Sequence, residues 1–279
     1  MDTVRLEHEG AWAEVASLGA EPRAWCVDGL SCLWPGDPAS WPRSSPILFP
    51  VIGRLRQDTL HVDGHPHRMG RHGFARDQVF EPVSRAADRV TMRLRDTAQT
   101  RAAFPFSFAL EVTWQLGPRC LAVHTRIVNP GPGDLPYHLG WHPGFNLGPD
   151  PACVRFEVEE DPWVPSVDSD GLIKPERRHS GLAGRTLTLR EDTFAGDALC
   201  FLNAHSQTLR LQQPGRPELT VRAQGFNHWA IWSRPGAPFV CLEAWTGHAD
   251  TVDFAGDVRD RSGTRSLRSG GSDEFDLRF

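Results

Sequence analysis

The stretch FSFALEVTWQL, residues 106–116, places Phe106, Phe108, Leu110, Val112, Trp114 and Leu116 at every second position, against Ser107, Ala109, Glu111, Thr113 and Gln115. A period of two is that of an extended chain whose side chains point alternately to two faces, so the stretch predicts a strand with one face buried. Beyond the Gly117-Pro118 turn the period resumes at Leu121, Val123, Thr125 and Ile127, which makes an antiparallel hairpin and sets its register. Shorter apolar runs predict further strands at 4–6, 12–15, 90–94, 154–158, 187–189, 209–211, 219–221, 229–232, 239–242 and 275–279. A modest helix is expected over 97–103, stopped by Pro105.

With 26 Gly and 23 Pro dispersed along 279 residues, many short elements joined by turns are expected. This is an all-β pattern, a large and mostly antiparallel β-sandwich or barrel in place of an alternating α/β sheet. No shift of composition marks a boundary, so one domain over 1–279 is expected. A net charge of −5 offers no broad attraction to nucleic acid or to a membrane surface. Lys174 is the only lysine, and nothing functional is drawn from it. The six cysteines, Cys26, Cys32, Cys120, Cys153, Cys200 and Cys241, form no C-x-x-C and read as reduced core residues. The opening MDTVRLEHEG has neither the basic start nor the apolar stretch of a secretory leader, and a cytoplasmic protein is expected.

Three clusters carry chemistry. Between Phe49 and Asp77 lie Arg54, Arg56, His61, His65, His67, Arg71, His72 and Arg76. His61, His65 and His67 flank Asp63-Gly64, a strong hairpin signal, and read as a solvated hairpin, not as metal ligands. His72 stands beside Arg71 and close to Arg76, whose charges hold an imidazole neutral near pH 7; a structural and a catalytic histidine satisfy that spacing alike. In YHLGWHPGFN, residues 137–146, His138 and His142 have the spacing of half a zinc motif, but the glycines and Pro143 make a helix improbable and the glutamate is missing. Trp141 and Phe145 beside His142 offer aromatic faces for a sugar, or else an aromatic mini-core. In FVCLEAWTGHAD, residues 239–250, an apolar run leads into Glu243 at or beyond a strand end, where partial desolvation would make it a stronger base. The plainer reading pairs it with one of the many arginines. Residues 259–268 read as a solvated connection before the last strand. Serine-nucleophile, phosphate-loop and dinucleotide signatures are missing.

In order and spacing, FPVIGRLR, RHGFARD, GWHPGFN and CLEAWTGHAD resemble the aldose 1-epimerase (galactose mutarotase-like) superfamily, nearest its bacterial epimerase-like branch, to which hexose-6-phosphate 1-epimerases are related. The resemblance spans nearly the whole chain and implies a galactose mutarotase-like β-sandwich with a sugar cleft. It implies His142 as the general acid at ring oxygen O5, Glu243 as the general base at O1, and His72 as a polariser of O5. It also implies Arg54, Arg71 and Arg76 near the sugar or its phosphate, and Asp197, with Asp192 as the competing position, on the hydroxyls. Trp245 with the following Thr246, Gly247 and His248, and the variable Trp141 and Gly144, are expected to shape specificity. No metal and no cofactor is called for. An aldohexose or hexose phosphate is the expected partner of a monomer or homodimer, and a non-catalytic carbohydrate-binding sandwich is the contrasting reading. His142 and Glu243 are expected to face each other across a sugar-sized gap.

Overall fold

A computed structural model describes residues 2–279. Its largest sheet has nine strands, all paired antiparallel, running in space from Thr186–Thr188 through Cys153–Phe156, Thr208–Gln212, Leu219–Gln224, Ser272–Arg278, Cys120–Val128, Ala109–Gly117 and Arg89–Arg95 to Glu81–Arg85. The expected hairpin lies at its centre, with Leu110 opposite Ile127, Val112 opposite Thr125 and Trp114 opposite Val123. Along Cys120–Val128 buried residues alternate without a break, because only one face of this sheet meets the core.

The strand predicted from Phe106 begins at Ala109 instead. Phe104, Phe106 and Phe108 pack together beside Phe49, and Asp96 accepts the Phe108 N–H, so the first apolar residues of the run close the end of the core and leave the ladder. The helix forms at Ala98–Ala103, with the Thr97 side chain capping it through the Thr100 N–H. Asp63 and Gly64, both at positive φ, join Thr59–Val62 to His65–Arg68 as the expected hairpin. The run at 154–158 stops pairing at Phe156, and Val158 is exposed.

Across the core lies a second sheet in the order Leu199–Phe201, His228–Trp232, Phe239–Trp245, Gly140–Trp141 and Ile47–Leu48, with Gly144–Asn146 also paired to Phe239–Trp245. In Phe239–Trp245 the side chains of Val240, Leu242 and Ala244 enter the core shared with Leu110, Val112 and Trp114. Phe239, Cys241 and Trp245 belong to separate apolar clusters, with Leu48, Ile52, Cys200 and Ala230 beside Trp245 and with Trp34 beside Phe239. Alternation then puts Glu243 on that same outer face. Every residue of the strand is nevertheless buried, since further chain covers the outer face too.

Residues 259–268 are not a solvated connection. Arg261 is buried and its Nε lies 2.6 Å from Asp250 Oδ1, and Arg265–Leu267 forms a short strand on Leu135–Tyr137. All six cysteines are free; Cys26, Cys200 and Cys241 are core residues as expected, whereas Cys32, Cys120 and Cys153 are half-buried. No helix among the described residues is long and apolar enough to cross a membrane.

Candidate active site

On the outer face of the second sheet opens a cleft of about 390 Å³. Arg54, Arg71, His72, Arg76, His142, Asp197, Glu243 and Trp245 all line it. The volume is within the range of small-molecule sites. Asp192 is exposed and does not line it, so of the two competing aspartates only Asp197 is placed here.

Glu243 lies inside Phe239–Trp245, not at its end as expected. Its neighbours come from strand pairing: Trp141 is opposite Ala244, which brings the next residue, His142, beside Glu243. His142 Nε2 is 3.2 Å from Glu243 Oε1. The expected sugar-sized gap is therefore not observed, because side chains on adjacent paired strands start only about 5 Å apart at Cβ. No arginine among the described residues reaches Glu243, which removes the arginine-paired alternative. Trp245 Nε1 instead donates to Oε2 at 3.1 Å, aligning the carboxylate from two residues along the strand.

Burial raises the Glu243 carboxyl well above the usual carboxylate range, and the charge of Asp197 adds to this, while the Trp245 bond opposes it. Burial, with Arg76, lowers His142 to about 3. His72 is held well below the ordinary histidine value by burial, then by Arg76, His142 and Arg71, as the flanking arginines predicted. Its Nδ1 accepts the Gly53 N–H at 3.1 Å, so the proton of the neutral ring sits on Nε2 and that edge is a donor. The geometry needs an unusual backbone: His72 has φ 67°, and a Cβ on Gly73 would meet Phe49 O at 2.3 Å.

The arginines are tied differently. Arg54 Nη2 bonds Asp58 Oδ2 at 2.9 Å, Arg71 Nη2 donates to Asp170 O, and Arg76 Nη2 donates to Arg71 O. His248 donates from Nδ1 to Ala249 O, leaving Nε2 as an acceptor on the cleft wall. Among the described residues no three side chains of His, Cys, Asp and Glu are gathered as a metal ion would need.

Trp141 and Phe145 do not supply aromatic faces to the cleft. Both are fully buried on the core side, with Trp141 Nε1 donating to Thr125 Oγ1. The cleft's aromatic rings are Trp41, Trp232 and Trp245. Trp41 was not legible as a site residue; the one available signal, a tryptophan followed by proline in a polar loop, says only that the ring needs cover. His138 is also away from the cleft, between Thr264 and Arg261. A second cavity of about 360 Å³, between Trp25, Arg119, Arg216 and Leu219, lies elsewhere and has no comparable acid–base pair.

The antiparallel sandwich is the galactose mutarotase-like fold. A galactose mutarotase-like protein from Lactobacillus casei ATCC 334 superposes with a TM-score of 0.93 at 28% identity, over 99% of this chain and 98% of that one. A galactose mutarotase related enzyme from Lactobacillus acidophilus gives 0.87 at 25% identity, over 99% and 96%. Protein LacX, chromosomal, of Lactococcus lactis subsp. lactis is 28% identical over 277 residues, covering 93% of this chain and 92% of that protein. The family model described as aldose 1-epimerase matches residues 2–260, and the chain belongs to that family. Membership supports an epimerase-type isomerase with a sugar substrate.

Proposed function

We propose that the chain is a cofactor-independent aldose 1-epimerase, acting as a single domain over 1–279, that interconverts the α and β anomers of a hexose. The observation that carries this reading is the His142–Glu243 contact on the cleft floor. The two oxygens that exchange protons in mutarotation, O1 and O5, are both bonded to C1, so an adjacent acid and base reach them together. Glu243 takes the O1 proton while His142 protonates O5; the C1–O5 bond breaks and an aldehyde forms. Rotation about C1–C2 turns the other aldehyde face inward, and the reverse transfers close the other anomer. His72 donates from Nε2 towards O5, Arg54, Arg76 and Asp197 hold hydroxyls, and Trp245 aligns the base.

The shifted pKa values favour one half of this cycle, ring opening, and oppose the return. Carboxylate and imidazolium face the cyclic sugar; carboxyl and neutral imidazole face the open chain. Burial favours the neutral pair, so ring opening moves both groups towards the protonation states that the cleft prefers.

Anomer exchange of α-D-glucose, α-D-galactose and glucose 6-phosphate followed by NMR tests the reading. Glu243→Gln and His142→Asn should each lose about 10²–10⁴-fold in rate. Near-wild-type rates in either variant would refute the roles, and sugar binding with no acceleration would leave a non-catalytic binding sandwich.

A specific observation supports a second reading, a hexose-6-phosphate 1-epimerase. Arg54, Arg71 and Arg76 line one cleft, and among the described residues Arg71 has no carboxylate within ion-pair reach. Arg71→Ala should then weaken glucose 6-phosphate about ten-fold or more while leaving glucose nearly unchanged. Equal effects on both sugars would exclude the clamp.

A further inference from the structure

His142 is held in an unusual way for a group that must present one nitrogen accurately. Nε2 faces Glu243, but Nδ1 is buried and, among the described residues, has no hydrogen-bond partner. An acid–base histidine ordinarily has its second nitrogen anchored by a carboxylate or carbonyl, which fixes the ring plane. Here that anchor is missing, and a column of rings stands against the imidazole. Trp34 stacks on Phe239 with centroids 4.7 Å apart, Phe239 on Trp41 at 5.5 Å, and Trp41 on His142 at 4.8 Å with 28° between the planes. Trp232 closes the side, edge-on to both Trp41 and His142 at 5.8 Å.

The loop carrying Trp41 is fastened so that the column keeps its place. Trp34 Nε1 donates to Trp41 O at 2.8 Å, and Arg234 Nη1 donates to Ser40 O at 2.7 Å. Gly144, two residues after His142, leaves the space: a Cβ there would come within 3.0 Å of Trp41 Cζ3 and 3.2 Å of Trp34 Cβ. Glycine at this position of the GWHPGF segment thus leaves the column its room, since an added Cβ would make the two tryptophans give by a few tenths of an ångström.

We propose that Trp41 is a positioning residue for the acid. Its indole fixes the plane of His142, so that Nε2 points at the proton-transfer partner without any bond to Nδ1. The indole's negative face also favours the ring when it is positive. The charged and titratable groups around the imidazole are Glu243 in contact, His72 with its ring centroid at 5.9 Å, and Arg76, which opposes protonation. Trp41 is the π surface stacked on it and offsets part of that opposition. The inference rests on the epimerase reading for its kinetic part.

The test compares Trp41→Leu with Trp41→Phe. A misplacement of about 1 Å at a reacting group costs up to about 10²-fold, so Trp41→Leu should lower kcat about ten- to a hundred-fold while KM moves less than about two-fold. Trp41→Phe, which keeps a ring to stack, should recover most of that loss. In ¹H–¹³C NMR the ring protons of His142, identified by their disappearance in His142→Asn, should lie upfield in the wild type under the indole ring current and move downfield in Trp41→Leu. A raised KM with unchanged kcat would make Trp41 a sugar platform and overturn the proposal. So would equal losses in both variants with unmoved His142 signals. Should Trp41→Leu fail to fold, Trp41→Phe and the wild-type shifts decide the matter, since unshifted His142 protons refute the stack. If the wild type turns over no sugar, the epimerase reading fails by that result, while the ring-current shift still decides whether Trp41 holds the ring.

Discussion

Glu243 and His142 touch, yet burial drives their protonation in opposite senses, and each leaves its own mark on stability. The Glu243 carboxyl ionises near 4.5 in the unfolded chain and holds its proton to higher pH in the fold. Stability from this group is complete below pH 4.5 and is lost as pH rises through the folded value. His142 is the reverse: ordinary at 6.5 when unfolded and lowered to about 3 when folded, it contributes fully above pH 6.5 and loses its contribution as pH falls towards 3. Replacing the acid by its neutral amide removes the first cost and keeps an oxygen to accept the Trp245 N–H. Glu243→Gln should therefore melt above the wild type at pH 8, with the difference closing towards pH 4.5, while activity is lost. Thermal melts across that range check it, and a variant that melts lower at pH 8 would show that the carboxylate is not destabilising in this cleft.

At the scale of the element, the central hairpin carries most of its own specification. Trp114 is fully buried, bonds Ala20 O through Nε1 at 2.8 Å and lies edge-on to Trp141 at 5.1 Å. Trp114→Ala should cost about 3–5 kcal/mol in urea unfolding, the range for deleting a large buried aromatic. A loss below about 1 kcal/mol would mean that the two sheets close over the gap. This strand was readable in the sequence because its outward positions alternate in polarity with the core-facing ones, and so was the Asp63-Gly64 hairpin because the turn demands particular residues. Phe239–Trp245 was harder, since burial on both faces erases the alternation that would have put Glu243 on the outer face. Ile47–Leu48 and Gly140–Trp141 are two residues each, too short for any period, and the second sets His142 against Glu243. The flanking motifs thus revealed which residues carry the chemistry, whereas their contact depends on a register that no local pattern encodes. Trp41 was hidden for a related reason, being brought to His142 by packing across distant segments.

For the molecule as a whole, one buried ion pair joins the segments that wall the cleft. Arg261 Nε and Asp250 Oδ1 are 2.6 Å apart, both side chains almost wholly enclosed. Arg261 Nη2 also donates to Ile52 O and His248 O, while Asp250 Oδ2 accepts the Arg56 N–H and the Asp250 N–H reaches Arg54 O. Three distant stretches, 52–56, 248–250 and 261, thus meet at one pair, and from two of them come the cleft residues Gly53, Arg54, His248 and Ala249. A charge so far from water is costly without its partner, whereas an apolar pair of similar volume is often neutral or better. Arg261→Met should cost about 3–5 kcal/mol by leaving Asp250 uncompensated, and the double replacement Arg261→Met with Asp250→Leu should recover much of it. In the double variant the Arg56 N–H loses its acceptor and Ile52 O and His248 O lose their donor, so sugar affinity should remain below the wild type even where stability returns. Urea unfolding and sugar titration on the three proteins separate the two effects. Full recovery of both would mean that the pair contributes only stability, while a single variant as stable as the wild type would show that Asp250 finds another cation or a proton.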